Sequence, residues 1–548
     1  MAWLGRSVRE RCRYTLPGLW VALVFAFLSF TPSLLPRPAS FQALVAGIDG
    51  AIGYGLGVAG AWVWREYADR DAHRSTPRAR RLFAIVAPVV LLIGILLGMR
   101  WQRQSAALIG TAPETVADAL LVPFVGVIMF VVFVALGRMI RTAYRKFSAM
   151  LERHMGRRAA RATGLVVLTV GLVLVATGLA WNWTLRAVDN SLAVGDLTTP
   201  GDVSRPTSDL RSGGPGSLIE WDSLGRQGRI FVGRGPDADD ISALADRPAK
   251  EPIRIFAGTA SADRTEDQAR LAVDDLDRAG GFDRASLLVT TTTGTGWVEP
   301  SAADSFEYLT GGDSAIVALQ YSHLPSWLSY LVDHTQARIA GRDLFDAVYD
   351  RWSRLSVGNR PKLYVFGESL GSFGGENAFS GEVDLANRTS GALFVGPPSF
   401  NPLHREFVDS RVRGSREIVP VYRDGRTIRF ANRARTSIPP NGQPWTGTRV
   451  LYLQQPSDPI TWWSPDLILQ RPDWLEERRG SDVSDSMRWI PLVTFWQVTA
   501  DLALGFSTPP GHGHNFSGEH VDGWNAVLEP PGWTPAMLDQ LRDRLRRD

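Results

Sequence analysis

A chain of 548 residues is too long for one ordinary domain. Its formal net charge of +3 rests almost wholly on arginine, because lysine occurs only at Lys146, Lys250 and Lys362, and no basic run interleaved with aromatics marks a nucleic-acid groove. A single cysteine, Cys12, excludes an intramolecular disulfide and any cysteine-based metal site.

Residues 1–186 read as a membrane region. Five apolar stretches approach the roughly 20 residues that span a bilayer: Leu16–Leu35, Phe41–Trp64, Leu82–Met99, Val116–Gly137 and Gly164–Trp183. The first belongs to this five-span pattern and has no small-residue cleavage site after it, so it is expected to persist rather than be removed as a signal peptide. Arginine clusters before span one (Arg6, Arg9, Arg11, Arg13), between spans two and three (Arg65 to Arg81) and between spans four and five (Arg138 to Arg161). The other two loops carry chiefly Arg37, Arg100 and Arg103. Positive loops stay cytoplasmic, so the N-terminus is expected inside and everything after Trp183 outside, in a multi-pass plasma-membrane protein.

Span two holds Gly55, Gly57 and Gly60 in a formal Gly-x-Gly-x-x-Gly match. No strand precedes it, which argues against a dinucleotide site. The Gly53-to-Gly57 spacing suits close helix packing instead. Asp49 and Asp118 sit near the outer ends of spans two and four; they are expected to reach interfacial water, the alternative being a polar pathway.

Residues 187–250 are rich in Gly, Pro, Ser and Asp and read as a linker with an N-terminal hairpin, Arg229–Val232 being one strand. From 251 to 548 short apolar runs alternate with helical patterns. Ile253–Phe256, Leu287–Thr292, Ala315–Tyr321, Leu363–Phe366, Ala392–Val395 and Arg449–Leu453 read as strands. Ala269, Val273 and Leu276, and then Phe345, Val348, Trp352 and Leu355, recur at helical spacing. This alternation implies a mostly parallel sheet covered by helices on both faces, with sites beyond the carboxyl ends of the strands.

The strand Leu363–Phe366 runs into Gly367-Glu368-Ser369-Leu370-Gly371, a Gly-x-Ser-x-Gly pentapeptide. Such a strand–turn–helix lifts a serine hydroxyl clear of the backbone, within reach of a base. With the chain order Ser, acid, His, three of the eight histidines follow the acid: His512, His514 and His520. His514 is favoured by the glycines around it and by Phe516, with His512 the alternate. Two histidines at i, i+2 without cysteine or paired carboxylates make a poor zinc site, so no metal and no cofactor is expected. Asp458, in the loop after Arg449–Leu453, is the expected acid, with Asp466 and Asp473 as fallbacks. Oxyanion donors are expected from the backbone N–H of Leu370 and from Thr295 and Gly296 in Thr293–Trp297, the alternative being Gly258-Thr259.

These residues give the outer domain a resemblance to the α/β-hydrolase fold. Nearly the whole chain resembles a bacterial membrane-anchored α/β-hydrolase family, on the motifs Thr293–Trp297, Leu324–Trp327, Gly367–Gly371 and Gly511–His514. The resemblance implies an α/β-hydrolase domain after an all-α transmembrane bundle of about five helices, and a serine-hydrolase mechanism. One departure stands out: no strand is evident just before the histidine loop, where Trp489–Leu504 reads as an apolar helix.

Two classes of function follow. The first is a Ser-His-Asp esterase, lipase or acyltransferase acting on acyl esters of cell-envelope lipids or glycans. The apolar segment Leu324–Leu331, joined by Trp462, Trp463, Trp489 and Trp496, would line an acyl pocket or touch the bilayer; ordinary core packing explains it equally well. The second is a non-catalytic sensor or transport-coupled module, since five spans exceed what an anchor needs. Neither the substrate nor the oligomeric state is encoded in any motif.

Overall fold

The computed structural model describes residues 14–69, 75–176, 196, 198–324, 330, 334–437 and 444–546. The chain divides into two units. One comprises Met1–Val173 and Trp463–Gly505; the other comprises Leu174–Trp462 and Phe506–Asp548.

The first unit is helical: α1 (Leu16–Leu28), α2 (Ala39–Tyr67), α3 (Pro77–Ile109), α4 (Val116–Leu151) and α5 (Arg157–Ala176). Among the described residues α2, α3 and α4 are long and apolar enough to cross a membrane. The first expected span is shorter than its apolar run. Helix α1 stops after 13 residues, and residues 29–38 continue as irregular backbone broken by Pro32, Pro36 and Pro38. The part of the fifth expected span after Ala176 lies outside the described residues. Close packing falls where the glycine spacing put it. A Cβ at Gly53 would stand 2.7 Å from the Val21 carbonyl oxygen, and one at Gly57 2.8 Å from Cα of Gly18, while Gly55 and Gly60 face open space.

The two aspartates part company. Asp118 pairs with Thr115 in a capping box that closes the first turn of α4. Asp49 does not reach interfacial water: it is fully buried, within the field of Arg37. Arg37 itself is buried and lies 4.0 Å from Asp501.

The late segment Trp463–Gly505 belongs to this unit because it satisfies the irregular stretch after α1. Helix Val493–Leu502 carries Gln497, whose side-chain amide donates to the carbonyls of Ser29 and Thr31 at 3.1 and 2.8 Å. One turn on, Asp501 accepts from the backbone N–H groups of Leu34 and Leu35 at 3.1 and 3.4 Å. Backbone that leaves a helix inside an apolar bundle must find partners, and these two side chains supply them.

The second unit is built on seven parallel strands: β1 (Ile253–Ala257), β2 (Ser286–Thr291), β3 (Ser314–Leu319), β4 (Lys362–Glu368), β5 (Gly391–Val395), β6 (Ile428–Ala431) and β7 (Arg449–Leu453). Their spatial order is β1-β3-β2-β4-β5-β7-β6, which places β4 at the centre. Every residue of β1, β2, β3 and β5 is buried, as a sheet covered on both faces requires.

Two sequence expectations change here. The hairpin at 187–250 is absent from the described residues. Arg229–Val232 lies in helix Gly225–Gly233, whose Gly228, Phe231 and Val232 follow Leu224 at helical spacing and pack against Phe256 of β1. A strand went unread at Ile428–Ala431, four residues long and interrupted by Arg429. It precedes β7 in the chain and pairs only with it at the sheet edge. No strand intervenes between Asp458 and His514, where the chain instead supplies the helical segment of the first unit.

Candidate active site

Three loops meet at the carboxyl ends of the central strands. The first is the turn from β4 into helix Leu370–Glu376. Ser369 there has φ +54° and ψ −126°, a conformation that L-residues rarely adopt, and it holds this shape by donating its N–H to the Val395 carbonyl at 2.8 Å. The flanking glycines are dictated by space. A Cβ at Gly367 would stand 2.4 Å from the Gly371 carbonyl oxygen, and one at Gly371 2.3 Å from that of Thr291.

Beneath the turn, Ser372 Oγ donates to the Ser369 carbonyl at 2.6 Å, and Asn401 Nδ2 links Ser372 to the buried Glu376 at 3.1 and 2.8 Å. Burial pushes the Glu376 carboxyl up to about 7, against the pull of Asn401 and the N–H groups of Leu403 and His404. The serine thus rests on a hydrogen-bonded chain inside the core.

The second and third loops are joined to each other. Asp458 Oδ2 lies 2.7 Å from Nδ1 of His514, while its other oxygen accepts from the Ile460 N–H at 2.8 Å. Gly513 N–H donates to Ser457 Oγ at 2.8 Å, and Gln455 Nε2 donates to the Asn515 carbonyl at 3.1 Å. The histidine loop is therefore fixed on both sides of its ring. Phe506 and Phe516 pack edge-on to that ring at centroid distances of 4.8 and 5.6 Å.

Nε2 of His514 is buried and has no partner among the described residues, and the residue lines a small cavity with Ser369, Thr290, Thr293, Trp297, Glu299 and Glu368. Burial alone would lower the His514 pKa. The Asp458 carboxylate, with smaller help from Glu368 and Glu299, reverses this and raises it.

Of the sequence candidates, Ser369 and His514 line this cavity, and Asp458 is joined to the far side of the His514 ring. His514, rather than its alternate His512, is the ring on Asp458. The oxyanion expectation is met differently. Leu370 begins the helix after the serine, where an N–H has no intrahelical acceptor. Gly296 donates its N–H to the Thr293 carbonyl at 2.9 Å inside its own turn, and the Thr295 carbonyl accepts from Gln320. Thr293 and Trp297, not Thr295 and Gly296, face the cavity. The fallback acids are elsewhere: Asp466 and Asp473 lie with the other unit. Leu324–Leu331 is described only at its ends, where Leu324 and Tyr330 are buried.

His520, weighed in the sequence only as a candidate base, and Glu299, not singled out there at all, also belong to this site. His520 is buried, with Nε2 2.8 Å from Glu368 and Nδ1 2.7 Å from Ser301 Oγ; Ser301 in turn donates to Glu299 at 3.0 Å. Burial, and then the neighbouring Glu368, push the Glu299 carboxyl up to about 7. Glu368 was visible as the variable position before the serine, but Glu299 sits 70 residues earlier with no motif around it.

A family model described as an alpha/beta-hydrolase family matches residues 253–541, and one described as the N-terminus of an alpha/beta-hydrolase family matches residues 30–236. No curated protein and no solved structure matches the chain. The first match covers more than half of the chain and coincides with the parallel sheet and its serine turn, so the chain belongs to this alpha/beta-hydrolase family.

Proposed function

We propose that this protein is an integral-membrane serine hydrolase that cleaves or transfers acyl esters of cell-envelope lipids or glycans. One observation carries the reading: the His514 ring is held by Asp458 at Nδ1, its Nε2 has no partner among the described residues, and it lines one cavity with Ser369. In the reaction Ser369 Oγ attacks the ester carbonyl carbon while its proton passes to Nε2 of His514. The Leu370 N–H stabilises the oxyanion that forms. The tetrahedral intermediate then expels the alcohol, which takes the proton back from His514. Water or a second alcohol attacks the acyl-serine in the same manner and restores the enzyme. Asp458 keeps the imidazole in one tautomer and stabilises its charged form. The apolar helices α2, α3 and α4 support a membrane location, and the arginine distribution supports an extracytoplasmic catalytic unit.

The test is labelling of the full-length protein with a fluorophosphonate, alongside hydrolysis of p-nitrophenyl butyrate. Wild type should label and turn over, and Ser369→Ala should do neither while remaining folded. A wild-type protein that stays unlabelled would instead favour a binding or sensing module.

A further inference from the structure

The small cavity at Ser369 opens into a much larger cleft of about 1120 Å³, and the two share Trp297, Val298, Glu299, Glu368, Phe506 and His514. We propose that this cleft binds the alcohol side of the ester and that the alcohol is a neutral saccharide. The inference rests on the serine-hydrolase reading above.

The wall nearest the serine suits hydroxyl groups better than an acyl chain, although Ile230, Phe231, Tyr308, Phe516 and Leu545 line the cleft elsewhere. Where the cleft meets the catalytic cavity stand two carboxyl groups, Glu299 and Glu368, tied to Ser301 and His520. Methylene groups laid on this wall would strip water from polar groups and return no hydrogen bond, at a cost of several kcal/mol. Further out, the charges are already paired. Arg254 holds Glu307 at 2.8 and 2.6 Å and Asp304 at 2.5 Å, Arg234 pairs with Asp202, and Arg544 pairs with Asp240. Such a surface offers many acceptors and donors but little net field, which suits a neutral ligand rather than an anion or a cation.

Hydroxyl groups both donate and accept, and so match a wall that presents carboxyl, imidazole and hydroxyl groups. Two observations point to a ligand rather than to structure. Thr290, 1% exposed at the end of β2, lines the catalytic cavity with an Oγ1 that has no protein partner. Trp297 is 40% exposed at the junction of the two cavities, where an indole face can cover the C–H face of a sugar ring. The volume exceeds the roughly 300–1,000 Å³ of most small-molecule sites and leaves room for several rings. Collapse of the tetrahedral intermediate would thus break the bond from the acyl carbon to the sugar oxygen, leaving the acyl group on Ser369 and the sugar hydroxyl, protonated by His514, beside Glu299 and Glu368.

Binding and turnover test the proposal separately, on the full-length protein in detergent. Binding is measured on Ser369→Ala with an array of neutral and charged oligosaccharides, with choline as a cationic competitor. Neutral oligosaccharides should bind, and Trp297→Ala on that background should weaken them about tenfold or more. Failure of every neutral oligosaccharide, or displacement by choline at equal concentration, overturns the proposal. Turnover is measured with Ser369 intact, comparing O-acetylated tetrasaccharides with ethyl acetate. The saccharide esters should have kcat/KM at least about tenfold higher, and Glu299→Gln and Trp297→Ala should each shrink that ratio. Equal kcat/KM for both ester types, or a ratio that neither variant changes, also overturns it. Hydrolysis that persists in Ser369→Ala refutes the serine mechanism instead, and the binding result then stands alone.

Discussion

Gly396, one residue beyond β5, leaves the space that the His514 imidazole fills: a Cβ there would stand 2.4 Å from Cε1 of that ring. Its φ of +53° adds a backbone reason for glycine. The histidine is therefore positioned from three directions, by Asp458, by the aromatic pair Phe506 and Phe516, and by an absent side chain just past β5.

Gly396→Ala should displace the ring without removing any catalytic group. We expect kcat for p-nitrophenyl butyrate to fall about 10²-fold, as for other ångström-scale misplacements, while the protein stays folded by circular dichroism. A variant with wild-type kcat would mean that the ring tolerates movement and is not the base.

The members of the site should act as a unit. His514→Ala should cost as much activity as Ser369→Ala, and the double variant little more. Asp458→Asn should be severe too, because an amide cannot stabilise an imidazolium as a carboxylate does. His512→Ala should be milder, since its backbone closes the turn while the neighbouring His514 holds the acid. The comparison is made on purified full-length protein with a single ester; additive losses from Ser369 and His514 would contradict the shared proton transfer.

The strand pattern, the serine turn and the order Ser369, Asp458, His514 were legible because each has a local signature: an apolar run, paired glycines, an acid after a strand. What stayed hidden is non-local. β6 lacks a long apolar run, and its place at the edge is set by pairing with β7 alone. Arg229–Val232 has a strand-like composition, yet Leu224 and Gly228 upstream give the helical spacing that prevails. Trp463–Gly505 was read as helix in part, but its allegiance to the membrane unit depends on Gln497 and Asp501 meeting backbone more than 460 residues away. Glu299 and His520 carry no motif, and only the fold brings them to the serine.

The acid limb of the pH–rate profile should report His514, whose neutral form must accept the serine proton. Its pKa is raised above 6.5, so kcat/KM should climb with pH through a value above 6.5. Glu368 contributes to that rise through its charge. Glu368→Gln removes the charge, lowers the imidazole pKa and should move the limb toward lower pH. Glu299→Gln should act in the same direction but less, because the Glu299 carboxyl is itself pushed up to about 7 and is only partly ionised where the limb lies. An unmoved limb in Glu368→Gln would assign the titration to another group.

The last expectation concerns the membrane unit. Arg37 and Asp501 are both fully buried, 4.0 Å apart, on segments far separated in the chain. Asp501 also accepts two backbone N–H groups, and burial pushes its carboxyl up to about 6 despite Arg37. Removing one partner leaves an uncompensated charge in an apolar interior, which typically costs about 3–5 kcal/mol. Arg37→Met and Asp501→Leu should therefore each lower the apparent melting temperature of the detergent-solubilised protein. The double variant should recover part of that loss, because neither Arg37 nor Asp501 then faces a missing partner, although the buried Asp49 loses the field of Arg37 and the N–H groups of Leu34 and Leu35 remain without their acceptor. Losses that simply add in the double variant would mean that the two charges are solvated independently and do not support each other.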